Sequence, residues 1–127
     1  GLADRIELVG RVERTELAQA FTRADIYLQT SPAESFGIST LEARSAGLAV
    51  VAMRSSGVRD FITDGVDGLL ADDDADLGRE LATLLGDDEL LERIKTHNYE
   101  VAPLAEWGAV AQMNVEAYRR AIALVGA

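Results

Sequence analysis

Apolar residues fall along this chain in short runs that alternate with helical stripes. Ile6 to Val9 is a short run closed by Gly10, which predicts a strand and a turn where backbones can approach closely. Leu17, Ala18, Phe21 and Ala24 then recur at helical spacing, and either Glu13 or Thr15 begins that helix. A second run, Ile26-Tyr27-Leu28, ends at Gln29. A polar loop follows, with Pro32 and the turn Glu34-Ser35-Phe36-Gly37. Helical spacing resumes at Ile38, Leu41, Ser45 and Ala46, positions i, i+3, i+7 and i+8. Gly47 reads as the residue that closes this helix, and Ala49-Val50-Val51-Ala52 as a buried strand.

This strand–loop–helix–strand order is the building block of a parallel sheet. The expected fold is therefore α/β: a partial Rossmann-like parallel sheet of about three strands, helices on both faces, and further helices at the C-terminal end. In open sheets of this kind ligands bind outside the carboxyl ends of the strands. The loop from Gln29 to Gly37 lies there.

Beyond that unit, Arg54 to Gly57 is a loop, Val58 to Thr63 a helical turn, and Asp64-Gly65 and Asp67-Gly68 are turn signals. Leu69-Leu70-Ala71 predicts a last short strand. Asp72, Asp73, Asp74 and Asp76 lack the Gly and distal Glu of a calcium loop, so they are read as capping and complementing a helix N-terminus. Leucine stripes predict helices over Ala75–Leu85 and Asp88–Asn98. Pro103 breaks the chain before a final helix, Trp107–Leu124, with Trp107, Val110, Ala111, Val115, Tyr118 and Ile122 on one face. His97, the only histidine, is expected at the surface, and Arg14 and Arg23 are expected to be solvated.

Composition narrows the partners. The 127 residues, 48% hydrophobic and 6% aromatic, suit one domain with an aliphatic core. A net charge of −10, from 22 acidic against 12 basic residues, argues against nucleic acid, which requires a basic surface. It leaves nucleotides open, because amides at a helix N-terminus can hold phosphate. Cysteine is absent, so neither disulfides nor thiolate chemistry is expected. No run approaches the ~20 apolar residues of a membrane span, and no signal peptide is visible, so a cytoplasmic setting is expected. The chain opens at Gly1 and enters an apolar run almost at once, which reads as a piece of a longer protein.

Two carboxylates frame the central loop and helix. Glu34 precedes the helix beside Gly37, and Glu42 lies four residues after Ile38, on the face of the apolar stripe. A carboxylate at a core boundary must be paired, hydrogen-bonded or turned to a ligand. From the residues alone, Glu34 capping the helix and Glu42 pairing with an arginine are favoured over ligand binding, since ordinary ion pairs are common.

The wording of the stretch adds to this. Pro32-Ala33-Glu34-Ser35-Phe36-Gly37-Ile38-Ser39-Thr40-Leu41-Glu42-Ala43-Arg44-Ser45-Ala46-Gly47-Leu48-Ala49-Val50-Val51-Ala52 resembles the donor-binding signature of retaining, group 1 glycosyltransferases of the GT-B fold. The segments Asp4–Val12, Ala24–Leu28 and Gly57–Leu70 resemble the family on either side of it. Two departures stand out: Ala49 replaces a common Pro, and Ser55-Ser56-Gly57 replaces a Gly-Gly pair, which implies a stiffer loop near the donor.

The resemblance implies roles residue by residue. Glu34 would be the catalytic residue, with Ser35, Phe36, Gly37 and Ile38 facing the donor sugar and diphosphate. Glu42 would hydrogen-bond the ribose hydroxyls, and backbone groups of Arg11 and Val12 would meet the nucleotide base. The donor would be a UDP- or GDP-linked sugar; no cofactor or metal is implied. Residues 1–127 would be the later part of the nucleotide-sugar-binding half, without the acceptor half and without the units that carry the family's basic residues for the diphosphate. The parent would transfer a sugar with retention, the piece alone would be inactive, and its truncated sheet edge would recruit a second copy. A non-catalytic nucleotide- or partner-binding regulatory domain is the alternative. A receiver-like module fits poorly, since Asp25 precedes its strand instead of ending it.

Overall fold

Ala49–Met53 carries no charged or polar side chain, and all five residues are buried. A strand apolar on both faces must be covered on both faces, and this one is the centre of the molecule. In the computed structural model, which describes residues 3–103 and 107–125, it is β2. The order along the chain is a 3-10 turn at Ala3–Arg5, α1 (Arg14–Phe21), β1 (Ile26–Gln29), α2 (Ile38–Ser45) and β2 (Ala49–Met53). A 3-10 turn at Gly57–Asp60 follows, then β3 (Gly68–Ala71), α3 (Asp74–Gly86), α4 (Asp88–Glu100) and α5 (Trp107–Val125). The three strands are parallel in the order β1-β2-β3, with Ile26 opposite Ala49 and Val51 opposite Leu69. The α/β sheet expected from the sequence is the one found.

Alternation along β2 divides the core. Ala49, Val51 and Met53 pack with Leu69, Ala71, Leu77, Leu84 and Ile94, under α3 and α4. Val50 and Ala52 pack on the opposite face with Leu70, Val58, Phe61, Ile62 and the half-buried Leu41. A third cluster joins α1 to α2 through Phe21, Ala43 and Leu48, with Phe21 edge-on to Tyr27 at 5.9 Å.

Several local expectations change. Ile6–Val9 forms no strand: it pairs with no other segment among the described residues, and Ile6, Leu8 and Val9 are exposed. An isolated extended segment has no ladder to hold it. Helix α1 is begun by Glu13, whose carboxylate takes the amide of Glu16 while Glu16 Oε2 takes the amide of Glu13 at 3.1 Å.

The buried face of α2 is Thr40, Ala43 and Arg44, while Ile38, Ser45 and Ala46 are exposed. The helix is therefore turned almost half a revolution from its apolar stripe. The last helix shows its stripe to solvent instead of packing on the sheet: Val110 is half-buried, and Ala111, Val115, Tyr118 and Ile122 are exposed. The side chain of Trp107, also assigned to that face, lies outside the described residues. No helix among the described residues is long and apolar enough to cross a membrane.

Candidate functional site

Three parallel strands bring the loops after β1, β2 and β3 to one edge of the sheet. The first two loops are joined there: the Gly57 amide donates to the Glu34 carbonyl at 2.8 Å. Gly57 admits no side chain, since a Cβ would stand 2.0 Å from the Ser35 carbonyl oxygen. Gly37, at φ +85°, is needed for its left-handed backbone and because a Cβ would meet Val58 Cγ1 at 2.7 Å. Phe36 rests on Phe61, ring centres 5.5 Å apart. The turn from Glu34 to Gly37 is thus seated on the Gly57–Phe61 segment by two close backbone approaches and one aromatic contact.

That seating gathers Glu34, Ser35, Phe36, Gly37 and Ile38 at the start of α2. Glu34 is half-buried, and its Oε1 accepts the amides of Gly37 at 3.1 Å and, more loosely, Phe36 at 3.4 Å. Its carboxylate sits on the positive end of the helix, as a cap does. Ser35, Phe36 and Ile38 are exposed, Ile38 to 65%, an unusual exposure for an isoleucine beside a core. The result is an open shelf rather than a closed cleft.

Glu42 stands apart from the shelf. It lies on the outward face of α2, half-exposed, and its Oε1 accepts Arg14 Nη2 of α1 at 3.1 Å. Arg14, expected to be solvated, is indeed mostly exposed but bonded to this carboxylate. Arg11 and Val12 lie just before α1, both exposed, so Arg14 is the link between their segment and α2.

A buried polar cluster sets the rotation of α2. Arg44 Nε and Nη2 donate to Asp67 Oδ1 at 2.9 and 2.6 Å, and Nη1 donates to the Val101 carbonyl at 2.9 Å. Both side chains are almost fully buried. The Thr63 amide donates to Asp67 Oδ2 at 2.7 Å, and Asn98 Nδ2 donates to the carbonyls of Leu48 and Asp67. Burial alone would push the Asp67 carboxyl up; the Thr63 amide and the Arg44 guanidinium outweigh it and hold it below its ordinary value. His97 is not a free surface residue: it is half-buried, with Nε2 3.4 Å from Asp67 Oδ1. Sequence reasoning missed this cluster. Its one signal was an arginine at the centre of a helix packed on an apolar strand.

Arg54, at the carboxyl end of β2, is committed to its neighbours, whereas Arg59 in the 3-10 turn that follows is exposed. Arg54 donates to Asp64 at 2.6 Å, Asp72 at 3.0 Å and the Leu70 carbonyl at 2.8 Å, and the bond to Asp64 holds its pKa above the ordinary value. The aspartates after β3 act as caps, Asp73 taking the Asp76 amide at 2.7 Å. Two cavities, about 350 and 260 Å³, lie elsewhere, one beside Asp25 and Gly47 and the other beside Asp67 and His97, bordered by Arg59, Asp60 and Phe61. Neither touches Glu34 or Glu42. The shelf, with its amides and Glu34, and with Glu42 on the outer face of the same helix, is the better candidate for ligand chemistry.

Comparison with known proteins identifies the family of the chain. Residues 1–101 match the family described as Glycosyl transferases group 1. The D-inositol 3-phosphate glycosyltransferase 2 of Catenulispora acidiphila is 34% identical over 124 residues, covering 96% of this chain and 29% of the relative. The phosphatidyl-myo-inositol mannosyltransferase of Mycobacterium leprae is 36% identical over 121 residues, covering 93% and 32%. Among solved structures, Anabaena HepE in complex with UDP and glucose superposes with a TM-score of 0.75 at 23% identity, over 94% of this chain and 33% of that one, a likeness of fold. The chain spans about a third of the length of the curated relatives it matches. By this match over most of its length, the chain belongs to the group 1 glycosyltransferase family.

Proposed function

We propose that residues 1–127 form the later part of the nucleotide-sugar-binding half of a retaining glycosyltransferase, one that transfers a sugar from a UDP- or GDP-linked donor to an acceptor. The observation that carries this reading is the separation of the two carboxylates. Glu34 lies on the helix N-terminal amides with Phe36, Gly37 and Ile38, whereas Glu42 lies on the outer face of α2. One donor molecule spans both: the diphosphate and sugar meet the shelf, and the ribose hydroxyls meet Glu42. Ser35 and the amides of Phe36, Gly37 and Ile38 serve the diphosphate–sugar end, with Glu34 as the catalytic residue. The base lies toward the backbone of Arg11 and Val12. The cytoplasm is the proposed setting on the sequence reading alone, and a second copy of the chain is the proposed protein partner, through the outer edge of β1.

Transfer requires stabilisation of the charge that develops on the leaving diphosphate. At the carboxyl edge Arg54 is neutralised by Asp64 and Asp72, so that loop supplies amides and a single guanidinium without an ion-pair partner among the described residues, the exposed Arg59. The purified 127-residue chain is therefore expected to bind nucleoside diphosphate weakly and to show no transfer or donor hydrolysis.

Titration calorimetry with UDP, GDP and their sugar conjugates tests the roles. Losing a charge-assisted hydrogen bond costs about 1.5–3 kcal/mol, so Glu42→Ala should weaken free nucleotide and nucleotide-sugar alike, roughly tenfold or more. Glu34→Ala should leave free nucleotide nearly unaffected and weaken only the sugar conjugate. Loss of free nucleotide binding in Glu34→Ala, with Glu42→Ala unchanged, would show the roles to be exchanged.

A further inference from the structure

Arg14 occupies a position that helix chemistry disfavours. It is the first residue of α1, directly after the Glu13 cap, where the positive end of the helix repels a cation. It also shares a face with Leu17 and Phe21, at i, i+3 and i+7, and those two residues pack against Ala43 and Leu48. The packing of α1 on α2 thus carries the guanidinium to the residue beside Ala43, which is Glu42. There Nη2 reaches Oε1 at 3.1 Å, and among the described residues it is the hydrogen-bond donor that Glu42 has. Oε2 accepts no hydrogen bond among those residues and stays open to a ligand hydroxyl.

We propose that Arg14 is a positioning residue for nucleotide binding: it pins one oxygen of Glu42 so that the other meets the ribose diol. This rests on the assignment of Glu42 to the ribose. Without the pin, the half-exposed glutamate samples several rotamers, and the nucleotide must order it on binding. The pair is solvent-accessible, with Arg14 90% exposed, so its effect is modest and screened by salt.

The test is a calorimetric cycle on the 127-residue chain with UDP and GDP as probes. Arg14→Ala should weaken binding by roughly threefold to fivefold at low salt, the range that exposed ion pairs reach. Arg14→Lys, which retains the charge, should restore most of that loss. In a Glu42→Ala background Arg14→Ala should have no further effect. The 2′,3′-dideoxy nucleotide should bind wild type and Arg14→Ala equally, a readout that a merely structural residue would not move. An equal loss in both backgrounds would mean that Arg14 touches the ligand itself, and overturns the proposal. So does an unchanged affinity in Arg14→Ala when Glu42→Ala is weakened. An unaffected Glu42→Ala instead removes the ribose assignment, a failure that the cycle distinguishes.

Discussion

At the scale of single residues, Arg44 and Asp67 decide more than their places in the sequence suggest. Substituting Asp67→Asn keeps the shape and removes the charge, leaving a buried guanidinium half-satisfied; breaking a buried pair in this way costs about 3–5 kcal/mol. Chemical denaturation should show the loss, and a cost under about 1 kcal/mol would mean that the cluster opens to water. Because the Asp67 carboxyl is lowered from 3.8 on folding, its contribution is complete above that value and is lost as pH falls through the lower folded-state value. Wild type should therefore lose stability steeply only on the acid side of pH ~4, and Asp67→Asn should flatten that part of the profile. Gly57 is the second such residue. With the Ser35 carbonyl 2.0 Å from where a Cβ would stand, Gly57→Ala must lift the Glu34–Gly37 turn off its seat. Overpacking of this kind costs about 1–3 kcal/mol, and nucleotide-sugar titration should report the displaced shelf as weakened binding. Unchanged stability and affinity would show the seat to be soft.

At the scale of elements, α2 separates what local pattern reveals from what it cannot. The strand Ala49–Met53 was legible because an uninterrupted small and β-branched run has one stable setting, buried on both faces. The turn before α2 was legible through Gly37 and the acid before it, and its family resemblance named the carboxylates that the fold then separates. The rotation of α2 was not legible. Ile38 and Ala46 read as core by spacing, yet the core side is set by Arg44, whose partner Asp67 is 23 residues away. Periodicity within one helix carries no information about that partner. Ile6–Val9 failed for a related reason, since strand propensity without a neighbouring strand makes no ladder. The rotation has a consequence at Thr40, whose hydroxyl is fully buried without a hydrogen-bond partner among the described residues. Replacing an unpaired buried hydroxyl by a methyl group of the same shape is near neutral or stabilising. Thr40→Val should therefore leave the melting midpoint level or raise it, by up to about 1 kcal/mol of stability; a clear loss would mean the hydroxyl has found an acceptor.

At the scale of the whole molecule, charge and edge oppose each other. Among the described residues β1 pairs only with β2, so its outer side presents unpaired backbone groups, with Leu28 exposed on the same strand. Such edges recruit another strand. The net charge of −10 on each copy resists association through self-repulsion, which salt screens within about 10 Å at 0.1 M. Association through β1 should therefore grow with both concentration and ionic strength, whereas an assembly held by ion pairs would weaken with salt. Sedimentation velocity across a concentration and salt series gives the sign. Leu28→Lys sets a charge on the edge strand and should return the chain to monomer. The exposed stripe of α5 offers a rival contact, and Tyr118→Glu on that helix is the control. A monomer under every condition removes the edge from consideration. Association abolished by Tyr118→Glu but indifferent to Leu28→Lys would place the contact on α5 and leave β1 without a partner.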